Sequence, residues 1–255
     1  MISFSKRLIT LLALLSLSGF ASAQSQKIEE GFDYRILPIA QPVETKGKVE
    51  VIEFFWYGCP HCYDFEPELS SWVKRQPKDV VFRRVPVAFR DDFMPHSQLF
   101  YALEAMGKGD AMNEKVMYAM HKENKRLLTE AEIADWAAAQ GIDRNTFLAT
   151  YRSFAVISKA RAAKQMAEAY RIDGVPTIVM QGRYVTSPSI AGSKAKAIAV
   201  MDYLEEILYA TDKKQIDKVY KNLDNKLSKL SEEKQISNSS SQAFIFGLVL
   251  LFLIV

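Results

Sequence analysis

The feature that most constrains this chain is a single stretch, Val51-Ile52-Glu53-Phe54-Phe55-Trp56-Tyr57-Gly58-Cys59-Pro60-His61-Cys62-Tyr63-Asp64-Phe65-Glu66, which holds both of its cysteines. The apolar run, rich in β-branched and aromatic residues, reads as a buried strand. Gly58 lets the chain turn, and Pro60 suits the first position of a helix, where its missing N–H would be unbonded in any case. Cys59 then falls at the helix N-cap, with free backbone N–H groups and the positive end of the helix dipole aimed at its sulfur. A thiolate gains from that place, so Cys59 is the expected nucleophile with a lowered pKa. Cys62, one turn along, is close enough to form a small disulfide with Cys59 and lies deeper.

His61 sets the direction of the chemistry. An imidazole beside the sulfur stabilises the thiolate further. A dithiol whose reduced form is stabilised makes a disulfide that readily accepts electrons. Other uses of the pair fit less well. Zinc wants about four N/S ligands, and only His96 and His121 remain outside the motif. Haem attachment needs a histidine directly after the second cysteine, where Tyr63 stands. An inert buried pair is at odds with the helix-start position. Redox chemistry on the two sulfurs is the expectation, with no metal and no cofactor.

Glu53-Phe54-Phe55, Cys59-Pro60-His61-Cys62-Tyr63 and Phe65-Glu66 together resemble the DsbA family of bacterial periplasmic thiol–disulfide oxidants, within the thioredoxin superfamily. The resemblance covers roughly residues 30–210. It implies a thioredoxin-like α/β fold with an inserted all-helical subdomain, and disulfide donation to reduced exported proteins. DsbA is itself a familiar example of a very acidic cysteine and a strongly oxidising disulfide, so those properties are implied by likeness only. It also implies reoxidation by a DsbB-like inner-membrane quinone reductase.

Residues 1–23 read as a secretory signal peptide: Lys6 and Arg7, an apolar core over Leu8–Leu17, and Ala21-Ser22-Ala23, with cleavage expected after Ala23. The apolar run is short for a retained membrane helix. Cleavage turns 33 basic and 30 acidic residues into 31 and 30, a net charge of +1, which does not favour nucleic-acid binding. Export places the cysteines in an oxidising compartment, which the resemblance implies is the periplasm.

The region 24–92 is expected to open the thioredoxin-like domain. Tyr34-Arg35-Ile36-Leu37 reads as an edge strand, Gly47-Lys48 as a turn and Val49–Trp56 as the central strand. A helix over Pro60–Lys74, kinked at Pro67, and a strand over Val80–Val87 complete a β–α–β unit with a parallel pair. Glu53 is the odd residue of the central strand. It reads either as a strand-end carboxylate facing water or, as the resemblance implies, as a buried proton-exchanging acid beneath the second cysteine. The family pairs this acid with a lysine on the neighbouring strand. No lysine here plainly matches it, and Arg83 and Arg84 are the nearby basic residues.

From 93 to 170 the pattern turns helical, the expected insertion. Leu99, Leu103 and Met106 recur at helical spacing, as do Met112, Val116 and Met120. Thr129 and Glu132 form a capping box, Gly141 ends that helix, and Asp143 caps the next, which carries Phe147 and Tyr151. An alanine-rich helix follows over Ile157–Tyr170. Met94, Met106, Met112, Met117 and Met120 suit an adaptable surface, but for most of them, and for His96 and His121, an ordinary packing role is preferred. The span 171–211 returns to the sheet: Thr177–Met180 as a strand, Gln181-Gly182-Arg183 as a hairpin turn, then Tyr184-Val185 and a helix over Ser193–Tyr209. By base rate the Val175–Pro176 bond is trans. The resemblance instead makes it cis, packed against the cysteines, with Val175 and Pro176 presenting backbone to an extended substrate.

Beyond the domain, 212–242 combines an amphipathic helix (Ile216, Val219, Leu223, Leu227, Leu230) with a Ser-rich linker over 237–241. Ala243–Val255 carries no charge. As a helix it spans roughly 20 Å against the roughly 30 Å hydrocarbon core, so it is a candidate for marginal anchoring of the enzyme to the inner membrane. Two rival functions fit the same motif class, an isomerase or reductase and a non-catalytic thioredoxin-fold chaperone or binding module.

Overall fold

The computed structural model describes residues 27–45 and 47–215, together with 217, 218, 221, 222, 225 and 226. The signal peptide, the Ser-rich linker and the apolar tail lie outside the described residues. Five strands form one mixed sheet: β1 (Arg35–Ile36), β2 (Val49–Phe55), β3 (Val80–Pro86), β4 (Thr177–Met180) and β5 (Tyr184–Thr186), in the order β1-β5-β4-β2-β3. β2 runs parallel to β3 and antiparallel to β4, and β5 is antiparallel to both β4 and β1. The parallel pair is joined by helix α1 (Pro60–Lys74), the crossover a parallel connection requires. The strand signals hold to within a residue, with Trp56 and Val87 lying just beyond the ladders. β1 is the expected edge strand, shorter than its signal.

β2 is buried along its whole length because helices cover both faces of the sheet. Its alternation sorts the core into two layers. Val49 and Val51 face α1 and the terminal helix α8 (194–215), with Phe65, Leu69, Trp72, Val200 and Leu204. Ile52 and Phe54 face helix α6 (Phe154–Ala169), with Ala163, Ala167 and Tyr170. Trp72 donates its indole N–H to Asp202 at 2.7 Å, and Arg75 holds both oxygens of that carboxylate at 2.8 Å. These bonds lock α1 to α8 and satisfy the one polar atom of a buried tryptophan. α1 is continuous through Pro67.

The helical insertion contains a 3₁₀ turn (Asp91–Phe93), then α2 (Met94–Ala105), α3 (Gly109–His121), α4 (Glu130–Ala139) and α5 (Arg144–Tyr151), and runs into α6. Leu99, Leu103, Val116, Met117, Ile133, Trp136 and Phe147 make its core, and that core continues without a break onto Phe55, Tyr57, Cys59 and Cys62. Met106, Met112, Met117 and Met120 pack in this core, as ordinary helical residues would. The Thr129–Glu132 capping box forms, Gly141 follows α4 in the left-handed conformation, and Asp143 caps α5. α6 starts three residues ahead of its expected position, because Ser153 accepts from the Val156 amide and opens the helix there. A short helix α7 (Pro188–Ala191) precedes α8, which Ser193 caps. α8 then runs unbroken from 194 to 215, past the expected end at Tyr209.

Candidate active site

Cys59 is the N-cap of α1 and Pro60 its first residue, as the local sequence dictates. The Cys59 amide donates to the Trp56 carbonyl at 2.9 Å, closing a tight turn from strand to helix. A Cβ at Gly58 would overlap the Trp56 ring, so only glycine fits this turn with Trp56 in place. Both cysteines are free thiols. Cys59 keeps a sliver of exposure at 7 %, while Cys62 is fully buried.

The two sulfurs are driven apart in acidity. The Cys59 pKa falls from about 9 to about 6: the Cys62 thiol donates to it, the Cys62 and His61 backbone N–H groups point at it, and the nearby His61 side chain adds to them, against the opposing effect of burial. The Cys62 thiol is pushed far up, chiefly by burial, then by its bond to Cys59 and the nearby charge of Glu53. One sulfur is therefore the thiolate and the other holds its proton. His61, between the two cysteines, is exposed.

Glu53 is fully buried and belongs to the α1 side of β2. Burial raises its pKa from 4.5 to about 7, against the pull of Arg84. Its basic partner is Arg84, whose Nε lies 2.9 Å from the Glu53 carboxylate, while Arg84 Nη2 reaches Glu66 at 2.7 Å. The register explains why Arg84 and not Arg83 fills this role. Glu53 sits opposite Arg84 in the parallel ladder and Ile52 opposite Arg83, so Arg83 points to the other face, toward Glu44, Glu50 and Met166. An arginine takes the place of the lysine that the resemblance implied. Sequence reasoning missed Glu66, although its place among Cys62, Phe65, Leu69 and Trp72 on the buried face of α1 marks it as a charge needing a partner.

The Val175–Pro176 peptide is cis, and the Cys59 sulfur lies 3.3 Å from the Val175 carbonyl oxygen, to which it donates only when protonated. The loop before β4 thus lies against the Cys59 sulfur. Trp56 stacks on Phe93 at 4.0 Å and donates to His96 Nδ1 at 2.8 Å, and His96 Nε2 meets the Arg126 carbonyl at 2.9 Å. His96 is a satisfied packing residue, as expected. Among the described residues no group of three or more His, Cys, Asp or Glu side chains is placed to hold a metal ion.

Comparison with known proteins bears directly on this arrangement. A family model described as a DSBA-like thioredoxin domain matches residues 50–199, a span that includes the redox motif and the cis-proline loop. The chain belongs to the DsbA family. It is 46% identical over 201 residues to the thiol:disulfide interchange protein DsbA of Burkholderia cepacia, covering 78% of this chain and 95% of that one. It is 42% identical over 207 residues to the DsbA of Pseudomonas aeruginosa, covering 81% and 98%. The crystal structure of Pseudomonas aeruginosa DsbA superposes with a TM-score of 0.70, over 73% of this chain and 97% of that one. The oxidoreductase DsbA of Xylella fastidiosa, 31% identical, gives 0.65 over 70% and 96%. As a DsbA-family protein the chain is a thiol:disulfide oxidoreductase with a thioredoxin-like fold, in a family that acts on exported proteins in the periplasm.

Proposed function

We propose that the Cys59–Cys62 disulfide is donated to substrates through Cys59. A substrate thiolate attacks the Cys59 sulfur. The Cys59–Cys62 bond breaks, a substrate–Cys59 mixed disulfide forms, and Cys62 leaves with the electron pair. Cys62 is a strong base in its buried place and takes up a proton, for which Glu53, poised near pH 7, is the adjacent acid. A second substrate thiolate attacks the substrate sulfur of the mixed disulfide. Cys59 departs as a thiolate, and the substrate gains a disulfide while the enzyme gains two electrons. A low-pKa thiol leaves fastest, and the place of Cys59 at the N-cap of α1, facing the His61 and Cys62 amides that lower its pKa, is the observation that carries this direction of flow.

His61 eases the departure of the Cys59 thiolate, and Pro60 starts the helix whose amides face it. Val175 and Pro176 offer backbone beside the reacting sulfur, where an extended substrate chain can pair as an added strand. Cys62 attacks in the reverse direction and during reoxidation by a DsbB-like quinone reductase of the inner membrane. Tethering through residues 243–255 would keep the enzyme near that partner. No helix among the described residues is long and apolar enough to cross a membrane, and the tail lies outside them. Recovery of the full chain in salt-washed membranes, and its release on deletion of 243–255, tests the tether; recovery of the full chain in the soluble fraction rejects it.

Cys59→Ser tests the function itself. It is expected to abolish oxidation of a reduced, unfolded periplasmic protein by oxidised enzyme, whereas a binding module would keep its function without Cys59.

A further inference from the structure

His121 was expected to be an ordinary packing residue, and the structure gives it more to do. It is the last residue of α3, yet its contacts lie on both flanks of the redox motif. Its Nε2 meets the Tyr57 carbonyl at 2.8 Å, two residues before Cys59. Its ring stacks on Tyr63, the residue after Cys62, at 4.9 Å between centroids and 19° between planes. The Lys122 ammonium lies over the Tyr63 ring at 5.5 Å. We infer that His121 is a positioning residue of the redox centre: it clamps the Tyr57–Cys59 turn and the first turn of α1 in register, so that the His61 and Cys62 amides stay aimed at the Cys59 sulfur.

Tyr57 is buried, and a buried carbonyl needs a donor. A carbonyl only accepts, so His121 Nε2 carries the proton in this bond. The same turn is closed by the Cys59 amide on the Trp56 carbonyl, and α1 begins with the Tyr63 amide on the Cys59 carbonyl at 3.1 Å. The His121 contacts therefore bracket the segment whose backbone amides help lower the Cys59 pKa. A slack turn would tilt those amides away, and a hydrogen bond weakens steeply with misalignment. The helical insertion thereby tunes the sulfur chemistry of the thioredoxin-like part through His121, by way of its contacts with Tyr57 and Tyr63.

The inference rests on Cys59 being the activated thiol. The test is the ultraviolet titration of the Cys59 thiolate in the reduced full-length enzyme, with circular dichroism confirming the fold. His121→Ala is expected to move the Cys59 midpoint up by roughly 0.5 to 1 pH unit. Its disulfide equilibrium with glutathione should become roughly three- to tenfold less oxidising. His121→Gln, whose amide can donate to the Tyr57 carbonyl, is expected to recover most of the loss. Tyr63→Leu, which removes the stack and leaves His121 intact, is expected to shift the midpoint in the same direction and stands in should His121→Ala not fold. An unmoved midpoint in the folded alanine or Tyr63→Leu variant, or a glutamine variant no better than alanine, overturns the role of His121 alone. A wild-type Cys59 that titrates near the ordinary thiol value overturns this role and the proposed function together.

Discussion

Cys59 and Glu53 are the two residues whose ionisation is most clearly read from the fold. His61 is the last of the groups lowering the Cys59 pKa, after Cys62 and the two amides. His61→Ser should therefore raise the Cys59 titration midpoint by roughly 0.5 to 1 pH unit while leaving the fold intact; an unchanged midpoint would remove the motif histidine from the mechanism. Glu53 works with the opposite sign. Its folded pKa of about 7 lies above its ordinary 4.5, so the folded state holds a proton that the unfolded chain has released. Its contribution to stability is fully present below about pH 4.5 and is lost as pH rises through about 7, up to about 3 kcal/mol in all. In urea titrations across that window, Glu53→Gln should show a flatter dependence of stability on pH than wild type. It should also slow oxidation of substrate by roughly tenfold or more, since a positioned acid for the departing Cys62 is lost. The helix-start position of Cys59 and the deeper place of Cys62 are legible in the sequence because they follow from local rules: strand, glycine turn, Pro60 at the first helical position. The partner of Glu53 is not. Choosing Arg84 over Arg83 needs the register of two strands far apart in the chain, and in a ladder of period two a one-residue slip exchanges the faces.

Elements with their own punctuation follow closely from the sequence. The capping box at Thr129, the left-handed Gly141 and the Asp143 cap fixed α4 and α5 from sequence, because each signal is satisfied within its own turn. Thr129→Ala should cost about 1 kcal/mol in urea unfolding, and an unchanged midpoint would mean the insertion does not rely on that cap. The start of α6 has no such local signal, since Ser153 is one serine among many and only the fold brings the Val156 amide to its hydroxyl. The length of α8 is hidden for a related reason. Charged residues past 209 suggest a new segment, but the backbone carries the helix straight through to 215. Between elements, the contacts that matter most were invisible in the sequence. His121 reaching back to Tyr57 spans 64 residues, and Trp56 to His96 spans 40. Neither pair has a local pattern to announce it.

For the whole molecule, the acidity of Cys59 is a statement about which redox state folds better. In the reduced enzyme the folded thiol ionises near 6 and the unfolded thiol near 9. This depressed pKa contributes stability that is fully present above about pH 9 and is lost as pH falls through about 6, amounting to about 1 kcal/mol at pH 7. The disulfide form has no such thiolate. The difference in melting temperature between reduced and oxidised enzyme should therefore shift toward the reduced form as pH rises from 5 to about 9, and a pH-independent difference would contradict the assignment. The same free energy makes the disulfide an oxidant, because whatever favours the reduced protein favours taking electrons from others. Disulfide donation therefore stands or falls on the equilibrium of the Cys59–Cys62 pair with glutathione buffers of known ratio. A potential more oxidising than about −200 mV is expected, on the donor side of the glutaredoxins. A value near about −270 mV, that of thioredoxin, would contradict it and reverse the flow of electrons through Cys59.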